Sequence, residues 1–329
     1  MLAPMAGGPG TPQLAAAVSA AGGLGFLAAG YLTPEQLTQQ IGSIRSDTDR
    51  PFGVNIFSAP SRRGDRRAIA DYVDLLAPVA ERHGVPLGRP SHDDDHLADK
   101  VRVVRRERPA VVSFTFGPPT PETLDQLHRD GIEVWVTVTD AREAAVASAL
   151  GADALVAQGA AAGGHRGTFT DHDDEPIELA ALLAMLTAAR GHLPVVAAGG
   201  IMDGTDLARA LDAGAVAGQL GTAFLLCPEA GTVDAHRRAL VEGQDTMITR
   251  AFSGRRARSI ANAWTTTIGG QAPSAYPEIH HVTAPLRAHG RSTGNLDLMN
   301  LWAGTGHRRA RSMPARELMA DLRRGGPGR

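Results

Sequence analysis

The chain has 329 residues, 43% of them hydrophobic, enough for one large α/β barrel or two ordinary domains with a full core. Lys plus Arg total 33 against 35 for Asp plus Glu, a balance that gives no electrostatic footing for nucleic acid or for an anionic membrane. Cys227 is the single cysteine, which excludes an internal disulfide and a thiolate zinc cluster. No apolar run approaches the roughly 20 residues of a membrane span. The first residues lack the charged-then-apolar pattern of a signal peptide, so a cytoplasmic location is expected.

Along the chain, short apolar runs alternate with helical patterns, as in a parallel sheet. The first run, 2–5, has only four residues before Met5, so this strand is expected to be short. A helix over 11–20 carries Pro12 in its first turn. After a strand at 25–27, Thr33 caps a helix over 34–41. Strands follow at 52–55, 111–114 and 133–138, then a helix over 141–150 capped by Asp140. The last three strands are 154–158, 195–198 and 217–220, with a helix over 206–213 that stops at Gly214. Eight strand–helix units within about 225 residues is the size of a (β/α)8 TIM barrel, the expected α/β fold. A doubly wound sheet would place G-x-G-x-x-G after its first strand, and Gly7-Gly8-Pro9-Gly10 lacks that spacing.

Beyond Cys227 the alternation fades. A helix is expected over 229–242, then an unassigned stretch at 251–258, a run rich in Thr and Gly, and a segment at 276–287. The Arg/Gly/Pro-rich tail from Arg323 is expected to fray. The expected organisation is a barrel over 1–225, a small substrate-facing region over 226–296 laid on one barrel face, and 297–329 as helices returning to the barrel plus the tail.

In a barrel of this kind the site lies on the loops after the strand C-termini, with phosphate after strands seven and eight. The seventh strand runs into Gly199-Gly200, whose N–H groups have no Cβ in the way, and Asp203 or Thr205 starts a helix whose N-terminus favours an anion. The eighth runs through Gln219 and Leu220 into Gly221-Thr222, a second N–H nest with a hydroxyl. The compact Met5-Ala6-Gly7 after the first strand leaves room for a flat ring. Asn55 and Gln158, ending the third and sixth strands, supply amides that suit the N–H/C=O edge of a flavin pyrimidine ring. A flat ligand with one monophosphate reads as FMN rather than FAD. Gln158 opens the loop 158–168, where Gly163 and Gly164 allow close backbone approach to a ring and His165 titrates near neutrality at its face.

These segments resemble the nitronate monooxygenases, formerly 2-nitropropane dioxygenases, of the bacterial class I type. The matching stretches are APMAGGPGTPQLAAAVSAAGGLGFLAAG (3–30), PFGVNIF (51–57), VVSFTFG (111–117), QGAAAGGHRGTF (158–169), VVAAGGIMDG (195–204), QLGTAF (219–224) and AFSGRRARSIAN (251–262), in order along nearly the whole chain. The resemblance implies an FMN-bound TIM barrel that oxidises an alkyl nitronate with O2 to a carbonyl compound and nitrite. It places His165 beside flavin and substrate as the catalytic residue, paired as a cation with the nitronate or acting as a base on a nitroalkane. It puts Asn55, Gln158, Gly163, Gly200 and 219–222 on FMN. Three positions depart from the family pattern or bear on substrate size: Ala161 stands where the family has Glu, Gly218 where it has an aliphatic residue, and Thr115 is expected at the pocket mouth.

Other residues carry less. Tyr276, before Pro277, is expected to face substrate, and Trp302 with Met299 to pack in the core. Adjacent His280 and His281 on a strand would diverge, so no metal site is expected. Asp93-Asp94-Asp95 and 171–175 read as solvated acidic helix starts. Ser253-Gly254-Arg255-Arg256 reads as a structural or substrate-rim motif. The alternatives are an FMN-dependent NAD(P)H:quinone or enoyl-thioester reductase on the same barrel, and a non-redox phosphate-binding barrel enzyme. The expected partners are a small nitronate and O2, with neither nucleic acid nor membrane, in a monomer or homodimer.

Overall fold

Seven parallel strands form one curled sheet in the computed structural model, which describes residues 1–60, 62–189 and 193–325. They are β1 (Gly25–Ala28), β2 (Phe52–Phe57), β3 (Val111–Thr115), β4 (Glu133–Val138), β5 (Ala154–Gln158), β7 (Val195–Ala198) and β8 (Ala217–Gln219), hydrogen-bonded in that order. The strands are short and nearly all buried, as parallel strands covered by helices must be. A second, antiparallel sheet has the order β6 (Gly164–His165), β10 (Ala257–Ile260), β9 (Thr246–Thr249).

The residues 1–3 stitch β8 to β1. Leu2 N–H donates to Leu24 C=O at 3.0 Å, Ala3 N–H to Leu220 C=O at 2.7 Å, and Leu220 N–H to Met1 C=O at 3.0 Å. The expected strand 2–5 thus pairs as a strand only through the Leu2–Leu220 bridge. Pro4 has no N–H to continue it, and Gly7 and Gly8, both at positive φ, turn the chain away.

Helices cover the sheet where their caps say they should. Thr11 Oγ1 accepts Leu14 N–H, Thr33 and Gln36 form a reciprocal capping box, and the Asp140 carboxylate accepts Glu143 N–H. The helix expected over 34–41 runs on through Gly42 to Asp47, because that glycine sits on an open outer face. Two helices, Arg66–His83 and Leu97–Glu107, lie between β2 and β3. Gly25 is required by packing: a Cβ there would stand 2.0 Å from Ala15 C=O.

The main core joins the strands to the inner faces of the barrel helices and takes in Leu318, Met319 and Leu322 of the returning helix Ala315–Arg324. Arg323 and Arg324 belong to that helix, and Arg323 bonds Ala21 C=O, so the expected fraying does not begin there; residues 326–329 lie outside the described residues. A second core packs Ile69, Tyr72 and Leu76 against Phe252, Trp264, Ile279 and Leu286. Within it Tyr72 OH donates to Ala251 C=O at 3.0 Å, and Trp264 Nε1 donates to Tyr72 OH at 3.0 Å.

The first acidic run meets expectation at Asp93 and Asp94, exposed just ahead of the helix Leu97–Glu107, and departs from it at Asp95; the second departs at Asp171. Asp95 is not solvated: it pairs with Lys100 at 2.6 Å and accepts Tyr31 N–H. Lys100, the only lysine in the chain, is 1% exposed. Asp171 starts no helix; it accepts from Arg250 at 2.8 Å and Ser274 at 2.7 Å. Their partners lie five to more than one hundred residues away, which local charge patterning does not reveal. His280 and His281 lie on the helix Glu278–Thr293, not on a strand.

Candidate active site

The C-terminal ends of the parallel strands open into one cavity holding about 1190 Å³ of space free of protein atoms, mouth included. Its wall brings together Met5, Ala6, Asn55, Thr115, Gln158, Gly163, Gly164, His165, Gly199, Gly200, Gln219, Leu220, Gly221 and Thr222. Two expected residues stay off the wall: Gly7 is exposed in the turn after Ala6, and Tyr276 stands behind His165.

One part of the cavity is a cradle of backbone donors. Gly199 and Gly200 are both at positive φ, which only glycine adopts without strain. Among the described residues, no protein acceptor meets the N–H groups of Gly200, Ile201, Gly221 and Thr222. Among the same described residues Gln219 Nε2, buried in the same wall, likewise has no hydrogen-bond partner. Unpaired donors converging from two loops fit a bound anion. The helix starting at Gly204 does not contribute as expected. Asp203 caps its N–H groups, Asp206 accepts Met202 N–H at 3.0 Å, and Arg309 pairs with both carboxylates. Its end is already neutralised.

The amides are more committed than their sequence positions suggest. Asn55 Nδ2 donates to the Ser113 carbonyl, to Ser113 Oγ and to Thr115 Oγ1 at 3.0–3.2 Å. Thr115, expected at the mouth, is buried in this network and reaches Thr137 Oγ1 at 3.3 Å. Gln158 Nε2 donates to His165 C=O at 3.0 Å, and its Oε1 accepts Gly167 N–H at 2.8 Å. Gln158 therefore fastens the segment that carries His165.

His165 was expected on a flexible loop. It sits instead on β6, paired with Ala257 of β10. Its partner strand is some ninety residues downstream, so the local sequence shows only glycines. A Cβ at Gly163 would stand 2.5 Å from the Ala303 carbonyl carbon, so 303–304 clamps this segment from the other side. Four aromatic rings surround the imidazole: Trp302 at 5.4 Å, Phe116 at 5.8 Å, Tyr276 at 5.9 Å and Phe57 at 6.3 Å between centroids. Ser253 Oγ lies 2.8 Å from Nε2. The guanidinium of Arg255 stacks 3.9 Å over Phe116 and is itself buried, as is Arg287. Burial first, and then the charges of Arg255 and Arg287, depress the imidazole to about 3. At that value the ring, which lines the cavity, is neutral at physiological pH. Tyr31, stacked 4.1 Å from His280, completes the outer wall; burial pushes its phenol up to about 12.

Tyr31, Phe57, Thr137, Trp302, Gly304 and Gly306 line the cavity without having been singled out from sequence for it. Trp302 does pack on Phe252, as expected of a core residue, yet its other side meets the cavity. Gly304 was readable in principle: Leu-Trp-Ala-Gly-Thr-Gly is a second glycine turn, and Gly304 N–H donates to Thr222 Oγ1 at 2.9 Å. Of the departures, Gly218 is filled by Leu207, whose Cδ1 would stand 2.6 Å from a Cβ there, and Ala161 Cβ packs against Gly200.

The family model for nitronate monooxygenase matches residues 1–325. The chain belongs to the nitronate monooxygenase family. It is 41% identical to a nitronate monooxygenase of Paraburkholderia phytofirmans, over 98% of this chain and 90% of that one. It is 42% identical to a nitronate monooxygenase of Pseudomonas aeruginosa, over 97% and 93%. Among solved structures, a nitroalkane oxidase from Streptomyces ansochromogenes superposes with a TM-score of 0.95 at 46% identity, covering 99% of this chain and 95% of the other. FabK from Thermotoga maritima is more distant, with a TM-score of 0.77 at 27% identity over 98% and 91%. The protein is thus an enzyme of this family on a TIM-barrel-type fold. Among the described residues no helix is long and apolar enough to cross a membrane.

Proposed function

We propose that the protein oxidises alkyl nitronates with O2 to a carbonyl compound and nitrite, using non-covalent FMN. The observation that carries this reading is a single cavity with an anion cradle at one end and a neutral, aromatic-walled His165 at the other. The cradle and the buried, unpartnered Gln219 Nε2 fit a flavin mononucleotide, whose phosphate needs several N–H donors and whose ring needs polar edges. Gly200, Ile201, Gly221 and Thr222 would hold the phosphate, and Asn55 and Gln219 would meet the ring. Bound flavin supplies the electron-transfer chemistry between substrate and O2.

The chain's own residues do the rest. The aromatic wall excludes water and takes the alkyl part of a small substrate. Arg255 and Arg287 give this end a positive field that favours the anionic nitronate group. Neutral in the empty site, His165 accepts a hydrogen bond or takes the α-proton of a nitroalkane, a transfer favoured by the negative charge of the nitronate formed beside the imidazolium. Of the two roles that the family resemblance leaves open for His165, this reading favours the base over the cationic partner.

The FabK likeness supports a second reading, an FMN-dependent reductase. The test is the absorbance spectrum of the purified protein, then nitrite release from a nitronate panel, then anaerobic addition of NADH. A flavin spectrum with nitrite release and little reduction by NADH is expected. Rapid bleaching by NADH without nitrite release favours the reductase, and a colourless protein that ignores added FMN favours a non-redox barrel.

A further inference from the structure

We infer that Ser253 is a positioning residue that fixes the His165 tautomer with the proton on Nε2 and leaves Nδ1 as the bare, proton-accepting nitrogen. This rests on the reading of His165 as the base of the proposed reaction.

Ser253 is 2% exposed, and its hydroxyl has one proton to give. Two acceptors compete for it: Arg255 C=O at 3.2 Å, and His165 Nε2 at 2.8 Å if that nitrogen is bare. A carbonyl never donates, so the Arg255 contact is a hydrogen bond only when the hydroxyl points at it. The imidazole must then supply the proton of the 2.8 Å contact, as Nε2–H donating to Oγ. In this arrangement the hydroxyl, the Arg255 C=O and Nε2–H are all paired, the Arg255 N–H, 3.4 Å from Oγ, also points at an oxygen lone pair, and Nδ1 is left as an acceptor facing the cavity. The opposite arrangement turns the hydroxyl to Nε2, strips Arg255 C=O of its donor and puts a proton on Nδ1. Among the described residues, no protein group hydrogen-bonds Nδ1, so that N–H would lack a protein acceptor inside the site.

The position of Ser253 is itself built. It lies in the turn before β10, where Gly254 at φ +76° has no room for a Cβ, because Ala275 C=O would stand 2.3 Å from one. Gly254 N–H and Ser253 N–H both return to Arg250 C=O. The β6–β10 register brings the imidazole over this turn, and Gln158 holds the His165 carbonyl from the barrel side. Ring and hydroxyl are thus each fixed by groups other than their mutual contact.

The consequence is a proton path with a defined start. When a neutral nitroalkane binds, Nδ1 takes the α-proton, and the C–H electron pair moves into the C=N bond of the nitronate, with the charge on the nitro oxygens. His165 then carries both N–H groups, Nε2–H still on Ser253, beside the anion it has just formed. A nitronate supplied as the substrate needs no such step. Ser253 should therefore matter for nitroalkanes and hardly for nitronates.

The test uses the flavin-loaded protein labelled with 15N-histidine, with the His165 resonances assigned by their loss in His165→Asn. The nitrogen shifts of the wild type should report Nε2–H. In Ser253→Ala they should move toward a tautomer mixture. In the same preparations, Ser253→Ala should lower kcat/KM for a nitroalkane about 10- to 100-fold, inside the range of a general base, and change that for its nitronate less than about threefold. Ser253→Thr keeps the hydroxyl and should restore both the shifts and the nitroalkane rate. An Nδ1–H tautomer in the wild type, or unchanged shifts and an unchanged nitroalkane-to-nitronate ratio in Ser253→Ala, overturns the inference. Failure of the wild type to turn over either compound would count against the proposed function, while the nitrogen shifts would still decide the tautomer.

Discussion

Replacing Gly221 by Ala separates the proposed cofactor site from the fold that carries it. Gly221 has φ −109° and ψ −67°, at the edge of the right-handed helical region and not a conformation that requires glycine. A Cβ there would meet Ala3 Cβ at 3.5 Å and Met5 Sδ at 3.7 Å, ordinary contacts with two residues of the cavity wall. The fold therefore tolerates the methyl, and the lost backbone freedom of the unfolded chain stabilises the apoprotein by about 0.4–1 kcal/mol. The methyl nevertheless stands in the cavity wall that holds the Gly221 and Thr222 N–H groups, where it should crowd a bound phosphate. Losing one hydrogen bond to a charged phosphate removes about 1.5–3 kcal/mol, or about 10- to 150-fold in FMN affinity. Gly200→Ala would not separate the two effects, since φ +77° and an Ala161 Cβ at 3.1 Å add strain of about 1–2 kcal/mol to any loss of flavin. The assay pairs the melting temperature of apoprotein by circular dichroism with titration of FMN followed by flavin fluorescence. A Gly221→Ala variant that melts as the wild type does and binds FMN with unchanged affinity would refute the placement of the phosphate.

His165 depressed to about 3 is neutral throughout pH 5–9, so kcat/KM for a nitronate should show no inflection near 6.5 that His165→Asn removes; finding one would restore the cationic role. For a nitroalkane the same substitution should cost about 10²–10⁴-fold. Stability should fall in acid, because His165, His236 and His280 have folded values of about 3, 4 and 2, below the unfolded 6.5. The unfolded chain binds more protons in this window, so their contribution is complete above about 6.5 and is lost toward the folded values, at up to about 1.4 kcal/mol per pH unit for each. Melting temperatures from pH 7.5 to 4.5 check this, and His236→Gln should flatten the slope; a melting temperature independent of pH would contradict it. Gly25→Ala forces a methyl to within 2.0 Å of Ala15 C=O and should destabilise the barrel by about 3 kcal/mol or more, read as insoluble expression or a lower urea midpoint.

What the sequence made legible was local. Apolar runs place the seven parallel strands to within a few residues, and caps such as Asp140 and the Thr33–Gln36 box place helix starts, but helix bounds are less legible: the one expected over 34–41 runs to Asp47, and the one expected over 229–242 starts at Asp234. The strand-end rule then brings Met5, Asn55, Gln158, Gly200 and Gly221 to one wall. What stayed hidden depends on distant partners. The β6–β10 pairing that carries His165, the Lys100–Asp95–Tyr31 link and the Ser253 contact each join residues whose neighbours in sequence give no sign of one another. Asn55 and Gln158 show a second limit. Residue type gives hydrogen-bonding capacity, but only the fold shows how much of it is already engaged by Ser113, Thr115, His165 and Gly167.

The register that pairs Ala257 with His165 has a consequence for engineering this scaffold. The imidazole is stitched to a hairpin formed far downstream, while its peptide carbonyl is tied to Gln158 at a barrel strand end. It is a seam between two pieces of chain and cannot be assigned to either. Grafting the hairpin and its flanking helix from a relative to change substrate preference would therefore re-aim the proposed base along with the pocket wall. A chimaera with clean junctions has to carry 158–169 and 246–262 as one unit, although they are separate in sequence, and libraries aimed at specificity do better varying Phe57, Thr115 and Tyr31, which lie on the barrel side of that seam.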